Sequence, residues 1–437
     1  MTTTTWERAL AAARPQPVGR VRGVVGLSLE GGGLDLPIGA VVEVGEDPHP
    51  VRAEVVATSS GTARCLPLDR ATGLRAGMPV VGGGALRVPV GGGLLGRVLD
   101  GLGRPIDGRG PVRADAWVDV DRPAPDPLER TRIEAPLDLG VRVLDTLTTV
   151  GRGQRMGLFA GSGVGKSSLL SMIARGTQAD VSVIALVGER GREVREFLED
   201  DLGPEGLARS VVVVATSDQP PLVRLRSAFV ATRIAEHLRD EGAHAVLMMD
   251  SLTRVAMAQR EVGLSVGEPP ATRGYPPSTF ALLARLLERA GTGPRGSVTG
   301  LYTVLVDGDD HNEPIADAAR SILDGHVVLQ RSLAVAGHFP SVDVLGSVSR
   351  VAGRVTTTEQ AALAQRLRSV LAARQAVADL IDVGAYVPGS NPLVDTALTH
   401  AGAITDFLRQ PLGEVVPAEQ SWSRLAALVR SLDGLAP

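Results

Sequence analysis

Met156-Gly157-Leu158-Phe159-Ala160-Gly161-Ser162-Gly163-Val164-Gly165-Lys166-Ser167-Ser168-Leu169-Leu170-Ser171-Met172-Ile173-Ala174 is the stretch that decides the fold. The apolar run Met156–Ala160 reads as a buried strand, and Ser168–Ala174 reads as a helix leading away. Between them, glycines bare the backbone N–H groups, so strand, loop and helix aim a helix N-terminus at an anion. The loop matches G-x-x-x-x-G-K-[ST] except at its first glycine, where Ala160 stands. In that pattern the amides of Gly161, Ser162, Gly163, Val164, Gly165, Lys166, Ser167 and Ser168 cradle phosphates. The Lys166 ammonium reaches the β/γ-phosphates and the Ser167 hydroxyl ligates Mg²⁺. ATP with Mg²⁺ is the expected ligand.

Composition sharpens that reading. Of the 45 Lys and Arg residues, Lys166 is the single lysine. Guanidinium and ammonium are interchangeable where only charge matters, but not where geometry does. A chain that writes Arg everywhere else keeps a compact point charge here.

Working outward, apolar strands at Val181–Val187, Ser210–Thr216, Ala245–Met249, Leu301–Val306 and His326–Gln330 alternate with helical stretches. Such alternation predicts an α/β domain, a mainly parallel sheet with helices on both faces. Asp250 closes one of these strands, where a carboxylate beside the loop holds Mg²⁺; capping the helix Ser251–Arg260 is the alternative. Upstream, from about Gly19 to Val90, short β-rich runs separated by turn glycines predict a small barrel or sandwich. Arg122-Pro-Ala-Pro-Asp-Pro127 reads as an extended strap, and the Ala-, Leu- and Arg-rich chain after Thr356 reads as helices.

At 437 residues, two or three domains are expected. A net charge of −4 argues against a protein that coats nucleic acid. Cys65 is the only cysteine, so nothing demands an oxidising compartment. No apolar run approaches the roughly 18–20 residues that cross a bilayer, and no secretory signal opens the chain, so a cytoplasmic protein is expected.

Gly157–Leu170, Gly188-Glu189-Arg190-Gly191-Arg192-Glu193, Asp250-Ser251-Leu252-Thr253-Arg254, Ser347-Val348-Ser349-Arg350 and, most specifically, Gly267-Glu268-Pro269-Pro270-Ala271-Thr272-Arg273-Gly274-Tyr275-Pro276-Pro277-Ser278 together resemble the flagellar and type III secretion export ATPases. These are relatives of the rotary ATP synthase catalytic subunits, and the resemblance runs from about Gly92 to Ser390. It implies an N-terminal docking segment over 1–18 and a β-barrel over 19–90. A RecA-like ATPase domain over 91–356 and a C-terminal helical domain over 357–437 follow, in chains assembled as a homohexameric ring. It also implies partners: a stator-like regulator, a central-stalk protein, an export gate, and export substrates with their chaperones. The protein would then lie at the cytoplasmic face of the inner membrane, with its N-terminal segment as a place for peripheral lipid contact.

By the same resemblance, Glu189 matches the carboxylate that polarises the attacking water. Non-catalytic rotary subunits carry glutamine there. Arg190 and Arg254 match arginines near the phosphates, and Arg350 matches the arginine finger of a neighbouring subunit. Phe339 matches an aromatic that stacks on adenine, and Tyr386 is a candidate for the other side of the base, with helix packing as its alternative.

Three functions fit the core: an export ATPase, a rotary ATP synthase or ATPase subunit, and a hexameric RNA translocase. The last expects aromatic stacking platforms in the N-terminal domain, and residues 19–90 contain no Phe, Tyr or Trp. The Glu-Pro-Pro-Ala-Thr-Arg-Gly-Tyr run favours export over synthesis. Asp307–Asn312 fails the calcium-loop pattern and reads as a rim loop of the active site. Trp6–Arg14, stopped by Pro15, reads as a short helix or a disordered start.

Overall fold

The computed structural model describes residues 18–45, 50–306 and 313–434. Trp6–Arg14 and Asp307–Asn312 lie outside the described residues. Six strands, Val18–Val25, Ser28–Gly32, Ala40–Val44, Val51–Ser59, Thr62–Pro67 and Pro79–Ala85, close into a barrel. Alternate residues of each point inward, as Val42 and Val44 do, into a core shared with Val21, Leu29, Val55 and Val80. The sixth strand pairs with both the first and the third, so the barrel has no edge left to extend. It therefore ends at Ala85, short of the expected Val90. Arg87–Val90 pairs instead with Ala116–Asp119 in a separate two-stranded ribbon.

The central domain is built on one sheet. Its strand order is Val342–Ser349, Gly325–Leu329, Arg155–Ala160, Ser297–Leu305, His244–Asp250, Val181–Glu189, Ser210–Thr216, Val98–Asp100. Along that path every pairing is parallel except the one between Val342–Ser349 and Gly325–Leu329. Every residue of Val181–Glu189 is buried, which is why it reads as a nearly continuous apolar run, with Ser182 and the terminal Glu189 the polar exceptions. Val183, Ala185 and Val187 enter one core beneath the helices Pro221–Asp240, Leu252–Ser265 and Pro277–Leu287. Ile184 and Leu186 enter the other, beneath Lys166–Gly176 and the C-terminal helices Thr358–Ala376, Ala401–Leu408 and Ala418–Leu432. The C-terminal helices thus share a face with the helix that follows the phosphate loop.

The Pro-rich strap crosses the central domain without regular secondary structure. Arg122 pairs with Asp240 at its start, and the Thr131 carbonyl accepts from Thr292 Oγ1 at 2.6 Å beyond it. The barrel is joined by a buried ion pair, Arg226 Nε donating to Glu54 Oε2 at 2.8 Å. Among the described residues, no helix is long and apolar enough to cross a membrane.

Candidate active site

Arg155–Ala160 delivers the phosphate loop at the C-terminal edge of the sheet. Gly163 (φ 73°) and Gly165 (φ 89°) take the left-handed conformation that side chains resist. Gly165 then caps the 11-residue helix Lys166–Gly176, whose first turn carries Lys166 and Ser167. Free helical N–H groups and the helix dipole converge here on the space above the loop.

Two neighbouring strands bring carboxylates to the same edge. Asp250 ends His244–Asp250 and Glu189 ends Val181–Glu189. Lys166 Nζ donates to Asp250 Oδ1 at 2.5 Å and lies 3.7 Å from Glu189 Oε1. Asp250 Oδ1 also accepts from Thr303 Oγ1 at 2.8 Å, a contact that sequence alone did not single out. The adjoining helix is capped by Ser251, whose hydroxyl accepts from Arg254 N at 3.3 Å. Asp250 is therefore spared the capping role and faces the loop.

Arg254 fixes Glu189 from the other side. Its Nη1 donates to the Gly188 carbonyl at 2.6 Å, and its Nε lies 3.3 Å from Glu189 Oε1. Oε1 is buried and makes no hydrogen bond, only the two longer ion-pair contacts with Lys166 and Arg254. Burial, then the negative charge of Asp250, push the Glu189 carboxyl up to about 7, against the pull of Lys166 and Arg254. The carboxyl of Glu193, in the first turn of the next helix, adds to the rise. Below that pH the group carries its own proton and cannot accept another; above it the carboxylate is free. The expected result is a kcat/KM for ATP that climbs with pH through about 7 and then levels off. A flat profile from pH 6 to 8.5 would show that ionisation of Glu189 does not limit the reaction.

A cavity of ≈ 600 Å³ opens beside the loop, lined by Gly165, Ser168, Met172, Phe339, Asp406 and Leu412 among others. Phe339 lies against the loop: a Cβ placed on Gly165 would come within 3.2 Å of its ring. The cavity has one aromatic wall and an aliphatic wall of Leu412 and Met172, room for a purine base. Tyr386 is not among the lining residues. Its hydroxyl is held at 3.0 Å by Asp395 and at 3.2 Å by the Asn391 carbonyl, so it braces its own turn. Leu412, more than 240 positions along the chain from the phosphate loop, lines the cavity instead.

Arg190 also departs from expectation. It ion-pairs with Glu193 at 2.8 Å and its side chain is 74% exposed, turned away from the cradle. Arg350 follows the one antiparallel strand on the sheet path. Val342 stands level with Leu329 and Ala160, whereas Ser349 stands level with Gly325 at the other end of the sheet. Seven strand steps put Arg350 roughly 20 Å from its own phosphate loop. It is exposed there, its Nη2 donating at 3.3 Å to the Arg320 carbonyl.

Residues 140–349 match the model of the ATP synthase alpha/beta family, nucleotide-binding domain, and residues 356–427 match that of the T3SS EscN ATPase C-terminal domain. The chain is 50% identical over 424 residues to the flagellum-specific ATP synthase of Pseudomonas aeruginosa, covering 95% of this chain and 94% of the relative. It is 50% identical over 429 residues to the type 3 secretion system ATPase of Xanthomonas euvesicatoria, covering 97% of each. This chain belongs to the flagellar and type III secretion ATPases. The solved structure of the assembled ATPase EscN from the enteropathogenic E. coli type III secretion system superposes with a TM-score of 0.89 at 43% identity. That match covers 94% of this chain and all of the EscN chain. EscN in complex with its central stalk EscO gives a TM-score of 0.87 at 42% identity, with the same coverage. This chain carries the barrel, the nucleotide-binding sheet and the C-terminal helices in one polypeptide.

Proposed function

We propose that this ATPase hydrolyses ATP to energise protein export through a flagellar or type III secretion apparatus, working as a homohexameric ring. The observation that carries the reading is the meeting of Lys166, in the first turn of the helix after the phosphate loop, with Asp250 and the buried Glu189 at two strand tips. Loop amides and Lys166 bind and orient the β- and γ-phosphates. Glu189, steadied by Arg254, accepts a hydrogen bond from the attacking water and aligns it with the γ-phosphorus. Phosphoryl transfer asks mainly for such positioning and for charge stabilisation.

Ser167 and Asp250 would hold Mg²⁺. Among the described residues no group of three or more His, Cys, Asp or Glu could hold a metal ion by itself. That fits an ion which takes one or two protein oxygens and completes its shell with phosphate and water. When bound, Mg²⁺ supplies charge neutralisation at the β- and γ-phosphates.

Arg350 sits at the wrong end of the sheet for its own site and on the surface, so its guanidinium would serve the neighbouring subunit. One chain carrying both halves of a shared site suits a closed ring. Lys166→Ala and Arg350→Ala proteins should each be inactive, while co-assembled mixtures should recover measurable phosphate release. In a mixed ring some interfaces join an intact Lys166 to an intact Arg350. Normal hydrolysis by assembled Arg350→Ala protein alone would sink the shared-site model.

The partners follow from the export reading: a stator-like regulator at the N-terminal segment, a central-stalk protein, an export gate, and export substrates with their chaperones. The place of action is the cytoplasmic face of the inner membrane. A rotary synthase subunit is the second reading, supported by the family model over residues 140–349. The C-terminal match over 356–427 favours export. Nucleic acid is not a proposed partner, because the barrel offers no aromatic side chain on which a base could stack.

A further inference from the structure

Between the strands Gly325–Leu329 and Val342–Ser349 the chain makes an excursion from Gln330 to Ser341. Its ends are tied together by Gln330 N donating to the Ser341 carbonyl at 2.9 Å. This loop touches the phosphate loop at three points. Arg331 Nη1 donates to the Ser162 carbonyl at 3.0 Å, and the buried Ser341 Oγ donates to the Val164 carbonyl at 2.5 Å. Phe339 lies on Gly165 between them. The same loop is gripped from behind by the C-terminal domain. Arg409 Nη2 donates to the Gly337 carbonyl at 2.8 Å, and Gln410 N to the Phe339 carbonyl at 2.9 Å.

A phosphate cradle works only if its amides face the ligand, which requires its carbonyls to face elsewhere and find donors there. Two of those carbonyls, at Ser162 and Val164, are taken by side chains of this one loop. We propose that Arg331 and Ser341 are positioning residues. They clasp the phosphate loop in its ligand-ready form and make it one unit with the aromatic wall of the base cavity. This rests on the reading of the site as one for ATP hydrolysis. The C-terminal domain, holding the far side of the same loop, bears on the phosphate cradle through it.

The test compares Arg331→Ala, Ser341→Ala and the conservative Ser341→Thr in the full-length protein. Each alanine variant should lower kcat/KM for ATP about tenfold, the size of one hydrogen bond. AMP, which lacks the β- and γ-phosphates, should compete as well against the variants as against the wild type. Ser341→Thr, which keeps the hydroxyl, should restore most of the loss. Equal losses for ATP turnover and AMP competition, or alanine variants that hydrolyse like the wild type, would overturn the clasp. A wild-type protein without Mg²⁺-dependent hydrolysis would instead remove the functional reading beneath it.

Discussion

Glu189→Gln should bind ATP with Mg²⁺ and hydrolyse it about 1,000-fold more slowly, close to 4 kcal/mol of barrier. Glutamine keeps the size and the strand-end position of Glu189, so the cradle of loop amides, Lys166 and Ser167 stays intact. The amide cannot accept a proton, and it removes the negative charge that Arg254 holds at 3.3 Å. Binding can be followed with a fluorescent ATP analogue and turnover by phosphate release. Loss of both together would assign Glu189 to the architecture of the site instead of its chemistry. Because the carboxyl is pushed up to about 7, the variant should also lose the pH dependence expected of the wild type.

Lys166→Arg should lower turnover at least 100-fold, about 2.7 kcal/mol. The positive charge is retained, so the loss measures geometry alone. Lys166 has a side chain only 14% exposed, set between Asp250 and Glu189. A guanidinium is wider, and its fork is matched to a carboxylate, so it would lock onto Asp250 in place of the phosphates. Thermal stability should hold, because the residue serves a loop at the sheet edge and not either core. An arginine variant with near-wild-type phosphate release would remove the significance of the chain's single lysine.

The parts of this molecule that were legible in its sequence are those fixed by local rules. A glycine loop between an apolar run and a helix, and acidic residues closing buried strands, carry their meaning within about ten residues. What escaped reading depends on distant partners. Val98–Asp100 is three residues long and becomes a strand only because Ser210–Thr216 offers an open edge. Val342–Ser349 is broken by Asp343, Gly346 and Ser347, and its burial follows no simple alternation. Arg190 turns outward to Glu193, three residues along at the start of the next helix, a pairing that a motif read position by position does not reveal. The base cavity takes Asp406 from a C-terminal helix, Leu412 from the turn after it and Phe339 from a loop, and no local pattern announces that meeting.

The closed barrel has one consequence for assembly. Among the described residues, a domain whose six strands close on one another leaves no open strand edge for a neighbour's sheet. In the homohexameric ring proposed above, such domains would stand side by side as separate barrels and not as one sheet continued from subunit to subunit.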